Sequence, residues 1–453
     1  MTRWVMLDAH EYLQFKFQLE RISLSLIKWT LEAVGAIATP EQVHISLSGR
    51  PDEMTVTWIT LDPLPNITPY VAYGVSPSAL RWTAKANTTA WKDQGKKKVV
   101  RYTHRATMKN MVPGDVYYYQ VGSSQAMSDT FHFRQPDPEK PLRAAIFGDL
   151  SILKGQGTID QLITSTKNDK FDVIIHIGDL AYDLQDNDGS NGDDYMNAIQ
   201  PFAAYVPYMV FAGNHEVDSD FNQIINRFTM PNNNVYDNNL FWSFDYGFIH
   251  FVALNSEYYA EAMSPETQAQ FKWLQDDLAN NRARWTIVMF HRPWYCSSKK
   301  NKGCHDDQDM LSRQGDKKFP GLEQFLNDNH VDLILYGHKH TYERMWPVFD
   351  KTPMKSADPN HIKDAKAPVY ILTGGAGCHS HEDPVDHIPQ DFSITRLGEY
   401  GYTYLTDFSI TRLGEYGYTY LTVLNSTHLT TDFVDTSDTT NGKFLDPFVL
   451  EKS

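Results

Sequence analysis

The sequence predicts an α/β protein with two domains, a β-sandwich followed by a larger α/β domain. Its 453 residues exceed the length of one ordinary core. Short candidate strands separated by turn signals occupy residues 43–133, whereas strands alternate with helical stretches beyond the proline-rich segment 135–141. We therefore place the domain boundary in that segment and expect domains over residues 39–136 and 141–453.

The first domain shows the alternation that is typical of β-strands. Residues 54–58 alternate apolar and polar side chains, which predicts a half-buried strand, and residues 99–108 predict another. A turn at Pro113-Gly114 leads into the tyrosine-rich strand 116–121. This Pro-Gly-x-x-Tyr-x-Tyr run resembles a fibronectin type III module, so we expect a fibronectin III-like β-sandwich. The absence of an acidic or histidine cluster from this region of the sequence indicates a structural or docking role.

One helix of the second domain is marked clearly by its sequence. Ser264 is the predicted N-cap, and Pro265 is the predicted first helical residue. Phe271, Leu274 and Leu278 recur at helical spacing and predict the buried face.

The strongest functional signal is a group of polar residues that follow buried strands. Residues 173–177 form a mostly β-branched run that ends at Gly178, and Asp179 stands in the turn beyond it. Because ligands bind beyond the carboxyl ends of strands in α/β sheets, such residues are expected to converge on a metal site. Four other apolar runs end in the same way: residues 144–147 before Gly148-Asp149, 208–212 before Gly213-Asn214-His215-Glu216, 286–290 before His291, and 331–336 before Gly337-His338-Lys339-His340.

These residues favour two metal ions rather than one. Two cations about 3.5–4 Å apart can clamp the attacking and the leaving oxygen of an in-line displacement. Such a pair needs a bridging carboxylate, and Asp179 on the central motif is the natural candidate. His338 and His340 lie two residues apart in one loop and can face different ions.

The order of the motifs resembles that of a known enzyme family. The series G-D-x, G-D-x-x-Y, G-N-H-E, V-x-x-H and G-H-x-H is similar to that of the purple acid phosphatases, in the metallophosphoesterase superfamily. The resemblance covers most of the chain, including the sandwich, and implies a four-layer α/β/β/α catalytic domain. It implies a ferric ion held by Asp149, Tyr182 and His340. It implies a second, divalent ion of iron, zinc or manganese held by Asn214, His291 and His338. Asp179 would be shared by both ions. Ligand softness agrees, because carboxylate and phenolate suit Fe(III) and imidazole suits a divalent ion.

Two positions show how closely the chain follows the family pattern. The related protein phosphatases resemble G-D-x-x-D-R-G at the second motif, whereas Tyr182 stands in place of the second aspartate here. The first motif normally runs G-D-x-G, but Ser151 occupies its last position in this chain. Because serine does not reach every backbone conformation open to glycine, the path of that loop is a question for the structure.

The resemblance also implies a reaction. We expect hydrolysis of phosphate monoesters, small-molecule or phosphoprotein, at acid pH with a metal-bound hydroxide as nucleophile. His215 is the candidate proton donor to the leaving alkoxide, and its alternative role is to hydrogen-bond the phosphate. His305 is a second catalytic candidate.

Two other functions stay open at this point. The same metal pair suits a phosphodiesterase or a nucleotide pyrophosphatase, because loop shape decides which esters fit. A non-catalytic secreted binding protein displayed on the sandwich would be favoured by lost metal ligands, but all seven candidate ligands are present.

The composition argues against some partners. A formal net charge of −15 disfavours nucleic acid and anionic membrane surfaces, since either partner needs a basic patch. The sequence lacks an apolar stretch of about 18 residues, so we expect no membrane span.

The N-terminal segment, residues 1–38, is a possible signal region. Residues 22–38 end in a small-residue pattern like that of a secretory signal, but Lys28 and Glu32 interrupt the apolar run. An amphipathic helix or a misjudged start codon explains the segment equally well.

Other features favour a secreted or lysosomal protein. Cys296 and Cys304 are close enough in sequence to close a short disulfide loop, which leaves Cys378 over. Three glycosylation sequons begin at Asn66, Asn87 and Asn425.

Two further segments carry no predicted function. Residues 391–406 are repeated without change as residues 407–422, and two copies are too few for a solenoid. Because only the second copy runs into Val423, we expect the first copy to be dispensable. The acidic loop 183–194 partly fits a calcium-binding EF-hand loop, but Leu184 occupies the first ligand position, which favours a solvated loop.

Overall fold

The structure, a computed structural model, describes residues 38–236, 238–298, 304, 307–378, 390–397, 416–436 and 443–453. Of the N-terminal segment, only Ala38 is among them, so the possible signal region lies outside the described residues. None of the described helices is long and apolar enough to cross a membrane.

The N-terminal domain consists of two four-stranded sheets. Its strands are β1 (Glu41–Leu47), β2 (Met54–Thr60), β3 (Tyr70–Gly74), β4 (Trp82–Lys85), β5 (Asn87–Lys92), β6 (Val100–Met108), β7 (Val116–Gly122) and β8 (Phe131–Arg134). One sheet has the order β1-β2-β6-β5 and the other the order β4-β3-β7-β8. Trp58 in the first sheet and Tyr119 in the second are fully buried in one shared core. The predicted β-sandwich is confirmed.

Strand β2 is more buried than its alternating sequence predicts. All seven of its residues are buried. Its polar face is covered by the second domain, where the hydroxyl of Thr57 lies 2.8 Å from that of Thr229. The prediction of a half-buried strand is therefore wrong, because alternation cannot show that another domain replaces solvent.

The second domain combines two mixed sheets with short helices. Its strands are β9 (Leu142–Phe147), β10 (Val173–Ile177), β11 (Tyr208–Phe211), β12 (Trp242–Tyr246), β13 (Ile249–Ala253), β14 (Trp285–Met289), β15 (Leu333–Tyr336), β16 (Tyr342–Phe349), β17 (Thr352–Pro353), β18 (His361–Lys363), β19 (Val369–Thr373), β20 (Ser393–Leu397), β21 (Gly417–Val423), β22 (His428–Asp435) and β23 (Phe448–Glu451). Its helices are α1 (Gln156–Lys167), α2 (Ser190–Ala203), α3 (Asp218–Arg227), α4 (Glu257–Ala260), α5 (Ser264–Asn280), α6 (Asp307–Gln314) and α7 (Glu323–Asp328).

The two sheets pack on each other between helices. The first sheet has the order β11-β10-β9-β21-β22-β23-β18, in which β9, β10 and β11 are parallel. The second has the order β12-β13-β14-β15-β19-β16-β17, with β20 beside β16. Ile287 of β14 lies in the core that contains the first sheet, whereas Val288 packs with Leu274 of α5 in a second core. The predicted α/β class, with two sheets between helices, is confirmed.

Helix α5 differs from its prediction at both its start and its buried face. It begins at Ser264 itself, one residue earlier than predicted. Phe271 is only partly buried, whereas the polar Gln270 is buried because its side chain bonds the backbone N–H and carbonyl of Asn255, at 2.8 and 3.2 Å. Hydrogen bonds to the backbone make this polar burial possible.

The tandem repeat is divided between its two copies. Strand β20 uses the first copy and pairs with β16, whereas β21 uses the second copy and pairs with β9 and β22. Residues 398–415 lie outside the described residues. The first copy thus supplies a strand of the second sheet, and the fold uses residues of both copies.

We expect the duplication to be removable all the same. Because the copies are identical, deletion of residues 391–406 yields the same chain as deletion of residues 398–413, and that chain keeps both β20 and β21. Its activity should be unchanged and its free energy of unfolding unchanged or higher, since a doubling of loop length costs only about 0.6 kcal/mol. Chemical denaturation and an activity assay check this expectation. A deletion variant that fails to fold would show that both copies are needed.

Candidate metal centre

The candidate metal ligands follow strands of both sheets at their carboxyl ends. Strands β9, β10 and β11 of the first sheet lead into the loops of Asp149, Asp179, Tyr182 and Asn214. Strands β14 and β15 of the second sheet lead into the loops of His291, His338 and His340. The packing of the two sheets brings these loops together.

One group of donor atoms contains Asp149, Asp179 and His340, whose ligand atoms all lie within 4.8 Å of one another. Tyr182 completes it. The Tyr182 hydroxyl donates to Asp149 Oδ1 at 3.2 Å and lies 2.8 Å from His340 Nε2. Two carboxylates, a phenol and an imidazole therefore face one point.

A second group contains Asp179, His291 and His338, again within 4.8 Å of one another. Asn214 Oδ1 lies 3.1 Å from His291 Nε2 and 2.7 Å from His338 Nδ1. Asp179 thus belongs to both groups, as a bridging ligand must.

Backbone contacts fix the orientation of these side chains. His291 Nδ1 donates to the carbonyl of Ile177 at 2.9 Å, which turns Nε2 toward Asp179. A Cβ on Gly213 would lie 2.4 Å from Asp179 Oδ1, and one on Gly337 would lie 2.6 Å from Asp149 Oδ2. Only glycine therefore fits at these two positions beside the ligands.

Several ligands have a strained backbone. The φ angles of Asp149, Asp179, Tyr182 and His338 are +66°, +55°, +54° and +69°. Aspartate tolerates this left-handed region, but a bulky tyrosine does so at a real cost. Such strain clusters at functional sites.

Ser151, which departs from the family pattern, is accommodated without strain. It is not among the residues of positive φ. Its N–H and its hydroxyl both donate to the carbonyl of Gly377, each at 2.9 Å. The loop therefore follows a path that serine can adopt.

Charges in the site are balanced by histidines. Burial opposes ionisation of Asp179, yet His291 holds its pKa far below the usual carboxyl range. Burial also disfavours charged histidines, but Asp179 raises the pKa of His291 to about 10, and Asp149 raises that of His340 to about 11. Burial and the two aspartates raise the pKa of the Tyr182 phenol well above its ordinary value. Burial raises the pKa of Asp149, whereas Asp179 stays ionised because positive charge lies beside it. Bound cations would supply such charge to both carboxylates in exchange for the histidine protons. The donor set fits a pair of metal ions.

The catalytic candidate His215 lies beside this site and is partly exposed. Its Nδ1 is 2.9 Å from Asp183 Oδ1, and its Nε2 is 4.0 Å from Asp179 Oδ2. Burial lowers the pKa of His215, but the hydrogen bond to Asp183 and the negative charges of Asp179 and Glu216 together outweigh burial and raise this pKa to about 9. His305, the second catalytic candidate, lies outside the described residues.

Three residues of the site were not predicted. Asp183 orients His215, but in the sequence it is only the first residue of an acidic loop. Buried Glu216 accepts the N–H groups of Asp179, Leu180 and Gly213 at 2.8–2.9 Å, a role that its place in the G-N-H-E motif could have suggested. Cys378 is buried and hydrogen-bonds His340, a contact that nothing in the sequence indicates.

The structure also places the predicted modification sites. Cys296 and Cys304 form a disulfide with their Cα atoms 5.7 Å apart. The first residues of the three sequons, Asn66, Asn87 and Asn425, are all exposed.

The sequence of the second domain matches a known class of enzymes. Residues 142–342 match the family model described as calcineurin-like phosphoesterase. The chain is therefore a metallophosphoesterase.

Further matches narrow this class to one family. Residues 40–135 match the purple acid phosphatase N-terminal domain, and residues 367–413 and 403–447 match the model of an iron/zinc purple acid phosphatase-like protein C. Acid phosphatase type 7 is 36% identical over 428 residues in Danio rerio and 34% identical over 419 residues in Homo sapiens, covering 91% and 90% of both chains. The chain belongs to the purple acid phosphatase family. The solved purple acid phosphatase PPD1 from yellow lupin has the same fold, with a TM-score of 0.74 and 22% identity over 92% of this chain and 75% of that one.

Proposed function

We propose that this enzyme hydrolyses phosphate monoesters at acid pH on a centre of one ferric and one divalent iron, zinc or manganese ion. One observation carries the proposal: two donor groups share Asp179, and one of them contains a tyrosine.

The chemistry of the donors supports this assignment of metals. Oxygen donors dominate the first group, where Asp149, Asp179 and Tyr182 join His340, and such a set suits hard Fe(III). The second group adds the amide of Asn214 and the imidazoles of His291 and His338, which suit a divalent ion. When bound, such a pair supplies Lewis acidity to the phosphoryl oxygens.

His215 is the proposed proton donor to the leaving group. Its ring is oriented by Asp183 and is exposed enough to meet a substrate, with its Nε2 on the side of Asp179. The carboxylate of Asp183 stabilises the charged ring, so the ring carries a proton at acid pH. Donation of that proton to the leaving-group oxygen lets this group depart as an alcohol rather than as an alkoxide.

Substitution of His215 by asparagine should affect poor leaving groups most. We expect kcat for an alkyl phosphate to fall on the order of 100-fold, the contribution of a positioned acid. For p-nitrophenyl phosphate the loss should be much smaller, because nitrophenolate leaves without a proton. Steady-state kinetics on both substrates check the difference. Equal losses on both would show that His215 only holds the phosphate.

A substrate panel tests the function itself. Metal-loaded protein would be assayed between pH 4 and 9 on p-nitrophenyl phosphate, an alkyl phosphate, bis(p-nitrophenyl) phosphate and a nucleoside diphosphate. We expect a higher kcat/KM for the monoesters and an acid optimum. Preference for the diester or the diphosphate would instead favour a phosphodiesterase or a nucleotide pyrophosphatase.

We also propose that the protein is secreted or lysosomal. The disulfide of Cys296 and Cys304 needs an oxidising compartment to persist. The exposed sequon asparagines add support, and glycosidase treatment of protein from its native source would test it by a loss of apparent mass.

A further inference from the structure

The N-terminal sandwich contacts the loop that carries part of the catalytic site. That loop segment, residues 183–194, follows Tyr182 directly and includes the first turn of helix α2, which begins at Ser190. Arg101 on strand β6 of the sandwich is 1% exposed. Its Nε donates to Asp193 Oδ1 at 2.9 Å, and its Nη2 donates to Asp193 Oδ2 at 2.6 Å and to the carbonyl of Asp188 at 3.0 Å.

A second buried arginine holds the same loop from the catalytic domain. Arg227 of α3 donates to Asp193 Oδ1 at 2.8 Å and to the carbonyl of Gly189 at 2.9 Å. The two guanidinium groups lie 5.7 and 5.3 Å from the ring of Trp91, another sandwich residue. Loss of one partner from such a buried charged cluster leaves the others uncompensated, so the cluster is sensitive to each member.

A short chain of hydrogen bonds connects this cluster with the site. Between Gly189 and Asp193 lies Asn191, whose Nδ2 donates to the carbonyl of Asp183 at 2.7 Å and to that of Tyr182 at 3.3 Å. Asn191 and Asp193 both lie in the first turn of α2, so the position of that turn determines where Tyr182 and Asp183 lie.

The residues so held have a backbone that needs external support. Ala181, Tyr182 and Asp183 have φ angles of +64°, +54° and +79°. Residues in this region are strained and persist only when their surroundings hold them. The contacts of Arg101 are part of those surroundings.

We propose that the sandwich is part of the catalytic apparatus through Arg101, a positioning residue that keeps Tyr182 and Asp183 in place from the neighbouring domain. The sequence indicates only a structural or docking role for this domain. The proposal rests on the proposed function for its spectroscopic readout but not for its structural one.

The test compares Arg101→Met with a matched control, Arg105→Met. Arg105 lies on the same strand and also crosses the domain interface, but it donates to the carbonyl of Asn226 at 2.7 Å and to the hydroxyl of Thr229 at 2.9 Å. These contacts are outside the loop. Both variants should lose thermal stability, and only the first should disturb the site.

For Arg101→Met we expect kcat to fall about tenfold. A shift of about 1 Å at a site can cost about 100-fold, and we expect a smaller shift here because Arg227 still holds Asp193. The tyrosine-to-iron absorption band should shift or weaken, and amide hydrogen exchange over residues 183–192 should become faster. Arg105→Met should show none of these changes. If the two variants behave alike, or if Arg101→Met keeps the kcat and exchange rates of the wild type, the proposal is wrong.

A second variant and the hydrogen-exchange comparison test the proposal where Arg101→Met or the absorption band gives no result. If Arg101→Met fails to fold, Asn191→Ala removes the hydrogen bonds to the carbonyls of Ala181, Tyr182 and Asp183 and should give the same three effects. Absence of these effects would overturn the proposal. A wild-type protein without the absorption band would count against the iron assignment, whereas the exchange contrast between the two arginine variants would still decide the positioning role.

Discussion

Replacement of Asp179 by asparagine is expected to abolish binding of both metal ions and to lower kcat/KM by about 10³-fold or more, the scale of several kcal/mol of Lewis-acid catalysis. Asp179 is the one carboxylate that both donor groups contain, and it is 1% exposed. The amide keeps the volume of the side chain and still accepts the N–H of His215, which lies 3.1 Å from Oδ1. Loss of charge is thus separated from loss of shape.

The effect of Asp179→Asn is measured by metal analysis of the purified variant together with its kinetics. Asp172→Asn is a matched control, because Asp172 immediately precedes the same strand, β10, and pairs with Arg143 at 2.9 Å. The control should keep both metals and its activity. An Asp179→Asn protein that retains two metal ions per chain would show that Asp179 does not bridge them.

Replacement of Tyr182 by phenylalanine is expected to remove the visible colour of the iron-loaded protein. A phenolate on Fe(III) gives a charge-transfer band and stabilises the ferric state, and phenylalanine lacks the oxygen that binds. Phenylalanine keeps the packing of the ring, which lies 4.6 Å from the ring of His215 and 5.8 Å from that of His340. The variant should fold, and its iron should be reduced more easily.

Activity of Tyr182→Phe should fall about tenfold but not vanish, because Asp149, Asp179 and His340 still hold that ion. The centre becomes less acidic, so the acid limb of the pH–rate profile should move to higher pH. Absorption spectra and reductive titration measure the effect. A variant with the wild-type spectrum would show that Tyr182 is not a ligand.

The part of the site that was predictable from sequence is local in the chain. Each ligand follows a buried strand after a glycine or a short turn. A few consecutive residues are enough to show this pattern. The carboxyl ends of parallel strands meet at one edge, so Asp149, Asp179 and Asn214 had to lie near one another. The structure places both histidine loops there too, although the pairing of two separate sheets is not visible in the sequence.

The features that escaped prediction depend on distant contacts. Arg101 and Asp193 are 92 positions apart in the sequence, and no local pattern connects them. The full burial of β2 depends on the second domain in the same way. Strands β20 and β21 come from different copies of the repeat because they pair in different sheets, β20 with β16 and β21 with β9. In each case tertiary packing overrides what a short window of sequence indicates.

The metal content of the purified protein tests the central claim most directly. Protein produced with iron and zinc supplied would be freed of loosely bound ions and analysed for every transition metal and for calcium. Two donor groups that share Asp179 predict about two metal ions per chain, of which at least one is iron. A single ion per chain, or calcium alone, would contradict a dinuclear iron centre.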